Sequence, residues 1–211
     1  MKSLSDFYDH LLPSMRGLVP EMADVEIRAA IIRLMEEGKV FVKALDALPT
    51  AAGTPTYPLV SPAAYPDHRV VEIKEAALDG DLLSPATTDQ LSEKYDDWQS
   101  ETGTPLWYLS DDPTTITLVP EPTAVGQLTA RAAIVPNYDL TQVEDVIFNT
   151  YLRDIIHGAK GTLFAMNDKP WANGDLAGFH MQQFEAAIGS RSIQAHKGFQ
   201  RARLRSKPVF R

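Results

Sequence analysis

Residues 98–122 read WQSETGTPLWYLSDDPTTITLVPEP, and this stretch decides how the middle of the chain folds. Gly103 and Pro105 punctuate the backbone as a Gly-Thr-Pro turn. The aromatic pair Trp107 and Tyr108 follows. Thr114 to Val119 then alternates threonine with Ile116 and Leu118, the period of a half-buried strand, and Pro120 and Pro122 close the run. Asp111-Asp112-Pro113 fits an ordinary turn. The stretch holds no nucleophile, metal-ligand set or phosphate loop and predicts a β-hairpin with an aromatic core.

Strand signals continue on both sides of it. Val40 to Leu48 suggests a strand. Pro49 to Pro58 reads as a loop or hairpin with a short strand near Tyr57, and His68 to Ile73 as a further β run. Leu78 to Gly80 makes a turn, with Leu82–Leu83 as an edge segment. Ser84-Pro85 opens a short helix to about Tyr95, because proline suits the first helical position, with Leu91 and Tyr95 as its buried pair. Gln127 to Val135 closes the β region as another strand.

Helical periodicity occupies the two ends of the chain. Leu4, Phe7, Leu11 and Met15 predict a first helix over residues 3–16, with Pro13 kinking or shortening it. A second helix starts at Asp24 as N-cap, buries Ile27, Ala30, Ile31 and Leu34, and stops at Gly38. Thr141-Gln142-Val143-Glu144 reads as a capping box opening a long helix to about Met166. Its inner face is Val143, Ile147, Tyr151, Ile155 and Ala159. Gly158 and Gly161 on that helix predict close packing, since each costs up to ~1 kcal/mol against alanine. Asn167 to Pro170 is a break. A last helix covers about Gly174 to Ala195, with Leu176, Phe179, Phe184 and Ile188 inward. The fold class is therefore α+β: a four-helix assembly from both chain ends (residues 1–39 and 137–196), an inserted antiparallel β module with one short helix (40–136), and an extended basic arm (197–211).

Composition narrows the function. The 211 residues are 44% hydrophobic and 23% charged, enough to bury a core. With no cysteine, disulfides, thiolate metal sites and a cysteine nucleophile are excluded. No run approaches a membrane span. Asp6, Asp9 and His10 stand where a signal peptide needs apolar residues, which predicts a soluble protein made in the cytoplasm. His10, His68, His157, His180 and His196 show no metal-ligand spacing, and no HExxH, GxSxG, Walker A or GxGxxG is present. His157 reads as a structural histidine on a helix. The adjacent carboxylates Asp96–Asp97 and Asp111–Asp112 read as solvated turn residues rather than a general acid and base, which need separated environments. The expectation is no catalytic residue, no metal and no cofactor.

Charge is uneven. The net charge is −8, and beyond Glu185 there are seven positive charges and no acidic residue, so residues 1–185 carry −15. The arm FQRARLRSKPVFR alternates cations with apolar residues, and its stretch from Lys197 could reach roughly 50 Å if extended. Three readings stand for it: a solubilising tail, a nucleic-acid arm neutralising phosphates, and a protein-docking arm. Val209 and Phe210 favour docking, because a purely electrostatic arm has no use for them.

The order of these signals resembles the phage adaptor family, the head-to-tail connector proteins below the portal. The resemblance rests on Leu83-Ser84-Pro85 before a short helix, Trp98, the Gly103-x-Pro105 turn with Trp107 and Tyr108, and Leu118-Val119-Pro120-Glu121-Pro122. It continues with Tyr151, Ile155-Ile156 and Gly158-Ala159 in the long helix. It implies a virion structural protein at the head-to-tail interface: a homo-oligomeric, commonly dodecameric ring under the portal protein, receiving the tail nozzle or tail tube protein on its other face. DNA would pass through the lumen without specific binding, and no membrane is involved. The docking role falls on Phe199, Arg201, Arg203, Leu204, Arg205, Lys207, Val209, Phe210 and Arg211. The alternative is a DNA-binding or packaging accessory protein that uses the same arm.

Overall fold

The computed structural model describes residues 1–95 and 97–197. The chain is α+β and divides into two compact units, Met1–Val40 with the chain from Asn137 onward, and Phe41–Pro136. In chain order the elements are β1 (Lys2–Ser3), α1 (Tyr8–Leu11), α2 (Pro20–Gly38), β2 (Val42–Ala44), β3 (Leu48–Thr50), β4 (Thr56–Pro58), β5 (His68–Leu78), β6 (Asp81–Pro85), α3 (Thr88–Lys94), β7 (Thr102–Gly103), β8 (Trp107–Leu109), β9 (Thr115–Val119), β10 (Glu121–Pro122), β11 (Gly126–Pro136), β12 (Gln142–Val143), α4 (Asp145–Ala165) and α5 (Gly174–Lys197).

In the helical unit α2, α4 and α5 pack pairwise. Residues 3–16 are not one continuous helix. A 3-10 turn at Leu4–Phe7, the single turn α1 and a second 3-10 turn at Leu12–Ser14 follow each other, with Pro13 in the last. Proline has no N–H for an α-helical bond, so the chain tightens there instead of propagating. Leu4, Phe7, Leu11 and Met15 are nevertheless all buried. The helix α2 begins at Pro20, with Val19 as a cap that lends no side chain. Asp24 lies inside it rather than capping it, because its carboxylate is taken by the Tyr8 hydroxyl, which donates to Oδ1 at 2.7 Å. Burial, and then this bond, push the Tyr8 phenol up to about 12.

The Thr141–Glu144 segment does not form a capping box either. Glu144 is the cap of α4 and makes no side-chain cap bond. Gln142 and Val143 are extended because they pair antiparallel with Ser3 and Lys2. Strand pairing between distant residues replaces the local cap. Beyond α4, the Trp171 indole is buried and donates to the Leu163 carbonyl at 3.1 Å. Asn173 caps α5 by accepting from the Leu176 amide at 3.0 Å. Phe184 and Ile188 face the core, but Leu176 and Phe179 are 41% and 51% exposed and do not point inward. A long helix with a neighbour on one side only can bury one stripe, and Ala177, Phe184 and Ile188 already fill it.

The β unit holds an eight-stranded sheet in the order β2-β11-β5-β6-β8-β9-β4, with β3 also pairing with β11. All its pairings are antiparallel except β6 with β8. The β5–β6 hairpin turns on Asp79 and Gly80, both at positive φ, as an Asp-Gly two-residue turn requires. Ser84 and Pro85 lie in β6, paired with Trp107 and Tyr108, so they do not open the short helix, and Leu82–Leu83 belong to the same strand, which lies between β5 and β8 and is not an edge. The helix α3 starts three residues later, with Thr87 and Gln90 as a reciprocal capping box. A side-chain acceptor for the Gln90 amide outweighs the preference of proline for a helix start. Leu91 is buried and Tyr95 half-buried.

Candidate functional site

The Trp98–Pro122 stretch closes on itself through two pairings. The strands β8 and β9 form the antiparallel hairpin, with Trp107 opposite Val119 and Tyr108 opposite Leu118. The short strands β7 and β10 run parallel, Gly103 beside Pro122. Tyr108, Leu109, Ile116, Leu118 and Val119 are buried, and so are Pro105 and Pro122. Trp98 and Trp107 are half-buried, and Lys94 of α3 places its ammonium 3.7 Å from the Trp107 ring centroid. The Val119–Pro120 peptide is cis. A Cβ on Gly103 would sit 3.7 Å from Pro120, in ordinary contact. These residues build a β core; they do not converge on an open cleft with chemistry in it.

A cleft of about 370 Å³ in the same unit is lined by residues including Val71, Glu72, Ile73, Tyr108, Asp111 and Asp112. Two of its carboxylates, Glu72 and Asp112, are committed to structure. Glu72 is ion-paired with Lys74. Asp112 accepts from the Thr114 amide at 2.6 Å and the Thr115 hydroxyl at 2.9 Å. The hydrogen bonds from Thr114 are the main reason its carboxyl titrates below the usual range. A turn residue that accepts several local donors is a structural anion, not a general acid.

In the helical unit the structure joins two residues that sequence spacing kept apart. His157 of α4 and His180 of α5 meet with their Nδ1 atoms 2.9 Å apart. The His180 ring stacks on Phe164, and Phe179 lies edge-on to both imidazoles. At this distance one Nδ1 donates and the other accepts, so the pair is stable with one shared proton and not with both rings charged. Among the described residues no group of three or more His, Cys, Asp or Glu side chains gathers as a metal site. The antiparallel packing of α4 on α5 creates the pair, and no local motif announces it.

Burial holds both imidazoles below the ordinary value of 6.5. Arg153 and Lys160 add to the effect at His157 against the pull of Asp154, while His157 and Lys160 add to it at His180. The unfolded chain therefore binds more protons than the folded one as pH drops below 6.5. The contribution of the pair is complete above that value and is lost as pH falls through the lower folded values. We expect the Tm of the protein to fall more between pH 7.5 and pH 5 (roughly the histidine range) than that of a His157→Gln, His180→Gln double variant. Equal slopes in thermal melts across this range would show that the pair does not titrate with folding.

The portal-docking residues expected from sequence, Phe199, Arg201, Arg203, Leu204, Arg205, Lys207, Val209, Phe210 and Arg211, lie outside the described residues, as does Asp96. Of the remaining family-motif positions, Gly158 is the tightest. A Cβ there would lie 2.9 Å from both Ala30 Cβ and Phe184 Cζ, and one on Gly161 would lie 3.2 Å from the Met181 backbone nitrogen. Both glycines let α4 approach its neighbours closely. Among the described residues no helix is long and apolar enough to cross a membrane. A search of curated proteins gave no match. The family model for the SU10 adaptor protein matches residues 12–208, and the chain belongs to that family of phage head-to-tail adaptors, structural proteins of the virion.

Proposed function

We propose that the protein forms a dodecameric ring beneath the portal, docks on the portal through its C-terminal arm and offers its other face to the tail nozzle or tail tube protein. The observation that carries this reading is the family match running to residue 208, which takes in nearly all of the basic arm. In this reading residues 1–39 and 137–196, four helices counting the broken first one, form a single ring-building domain. Residues 40–136 are a separate β-rich insertion carrying the motif residues Trp98, Gly103, Pro105, Trp107, Tyr108, Pro120 and Pro122. Residues 197–211 are the arm. The apolar members Phe199, Leu204, Val209 and Phe210 fill pockets on the portal, and Arg201, Arg203, Arg205, Lys207 and Arg211 pair with its carboxylates. The body, at −15 over residues 1–185, repels the phosphate backbone of passing DNA, which suits a conduit that must not hold its cargo. The role needs no catalysis and no cofactor. The protein is made in the host cytoplasm and carried in the virion.

The test is cosedimentation with portal rings, comparing the full chain with a chain ending at His196. We expect the full chain to pellet with portal and the truncated chain to stay in the supernatant, with unchanged circular dichroism. Equal pelleting of the two would remove the docking role from the arm. The second reading, a DNA-binding or packaging accessory, draws on the alternating Arg201, Arg203 and Arg205. It predicts DNA retardation that weakens steeply with salt and disappears when those arginines are removed.

A further inference from the structure

The acidic charge of the chain is concentrated in its β unit. Residues 41–136 hold fourteen acidic and five basic side chains, a net charge of −9. The cleft of about 370 Å³ lies in that unit, and every charged residue of its lining is acidic: Glu72, Asp111 and Asp112. Glu72 is engaged by Lys74. Asp111 and Asp112 are exposed, and Asp111 makes no hydrogen bond or ion pair among the described residues. Asp112 bonds neutral donors of its own turn, which keep it ionised without cancelling its charge. Most of the remaining lining is apolar, with Val71 and Ile73 half-buried and Tyr108 buried. A cleft that joins apolar walls to uncancelled carboxylates matches a peptide that is apolar and basic at once.

The chain itself carries such a peptide. Residues 197–211, which lie outside the described residues, contain six cations and no acidic side chain. Successive side chains of an extended segment point to opposite sides, so Arg201, Arg203 and Arg205 share one side and Ala202 and Leu204 the other. The fourteen residues after Lys197 reach roughly 50 Å when extended. The cleft has room for only a few of them, which leaves the rest of the arm as tether and tip.

We propose that this cleft is the seat of the C-terminal arm before any portal is met. Leu204 lies against Val71, Ile73 and Tyr108, and the Arg203 and Arg205 guanidiniums turn to Asp111 and Asp112. The contact covers cations and an apolar side chain that would otherwise be open to other anionic or apolar surfaces, and a portal that takes the arm must compete with it. The inference goes beyond the portal reading and does not rest on it. Its test contains no portal, so its failure leaves the cosedimentation result untouched.

The chain has no cysteine, so a designed pair reports without background. The full chain carrying Ala86→Cys, in the cleft lining, and Ser206→Cys, next to Arg205, is treated with a short bis-maleimide. The linked peptides are counted by mass spectrometry. The comparison chain pairs Ser206→Cys with Val125→Cys, a position of the same unit that is 75% exposed and does not line the cleft. Random collision favours the more open Val125 position, whereas the proposal favours Ala86. We expect the Ala86 pair to link at least tenfold faster, and this advantage to be lost in 1 M salt and in the further variant Asp111→Lys. Monomer-sized product would place the arm in its own cleft and dimer-sized product in that of a neighbouring copy; either supports the seat. Equal or faster linking through Val125 would overturn the proposal. An advantage that survives both salt and Asp111→Lys would overturn the charge pairing on which the choice of occupant stands.

Discussion

Replacing Phe184 with alanine should destabilise the helical unit by about 3–5 kcal/mol, the range for removing a buried phenylalanine. The ring is 2% exposed. On one side it meets the open backbone of Gly158, where a Cβ would come within 2.9 Å of its Cζ. On another, the Arg33 guanidinium sits 5.6 Å from its centroid, and Arg33 itself is ion-paired to Glu37 and Glu185. The cavity left behind cannot collapse easily. The Gly158 side offers no side chain to move in, and the α2–α4–α5 packing is tied at its rim by the Arg191–Asp154 ion pair, 2.9 Å long. Urea unfolding followed by far-ultraviolet circular dichroism measures the loss. A change below about 1 kcal/mol, typical of a surface substitution, would mean that α5 does not use Phe184 to close the unit.

Gly158→Ala should also destabilise, although alanine is the better helix former. Propensity alone favours alanine by about 1 kcal/mol. Against it stand two contacts at 2.9 Å, to Ala30 Cβ and Phe184 Cζ, and overpacking of this kind typically costs 1–3 kcal/mol. The Ala30 carbon is fixed to α2 and cannot step aside as the end of a long side chain would. The net expected effect is a loss of up to about 2 kcal/mol. Gly189→Ala on α5 is the internal comparison. A Cβ there meets nothing within 4 Å, so only propensity acts and the sign should reverse. The Gly158→Ala penalty should shrink when Phe184 is already alanine, because the clash with its ring is gone. Thermal melts of the two glycine variants and of the double variant check all three statements. Destabilisation at both glycines would remove close packing as the reason for Gly158.

The strands were legible where one face of a strand must be buried. Ile116 and Leu118 alternate with threonines, and those two residues are the ones buried in β9. The stripe Ile147, Tyr151, Ile155 and Ala159 was legible for the same reason at helical period, and all four are buried. Gly158 and Gly161 were legible because an unfavourable residue inside a helix needs a compensating contact. The helix starts were not. Asp24, Pro85 and Thr141 each had the right residue type for a cap or first turn, but Asp24 accepts from the Tyr8 hydroxyl, Pro85 pairs with strand β8, and the two residues after Thr141, Gln142 and Val143, pair with Ser3 and Lys2. The basic, partly apolar composition of the C-terminal stretch was legible in the sequence, since cations alternating with Val209 and Phe210 need no fold to be recognised.

Periodicity, turn chemistry and charge are local properties, and from them follow the α+β class, the turn at Leu78–Gly80, the acidic body and the basic C-terminal stretch. Tertiary structure alone decided which helix ends are capped, that Leu176 and Phe179 face out, and that His157 meets His180. Those outcomes depend on which neighbour makes the more favourable contact with a shared hydrogen-bonding group or apolar face. A side chain 23 positions away, as His180 is from His157, leaves no trace in local spacing, because the α4–α5 packing that joins them is chosen by the whole unit.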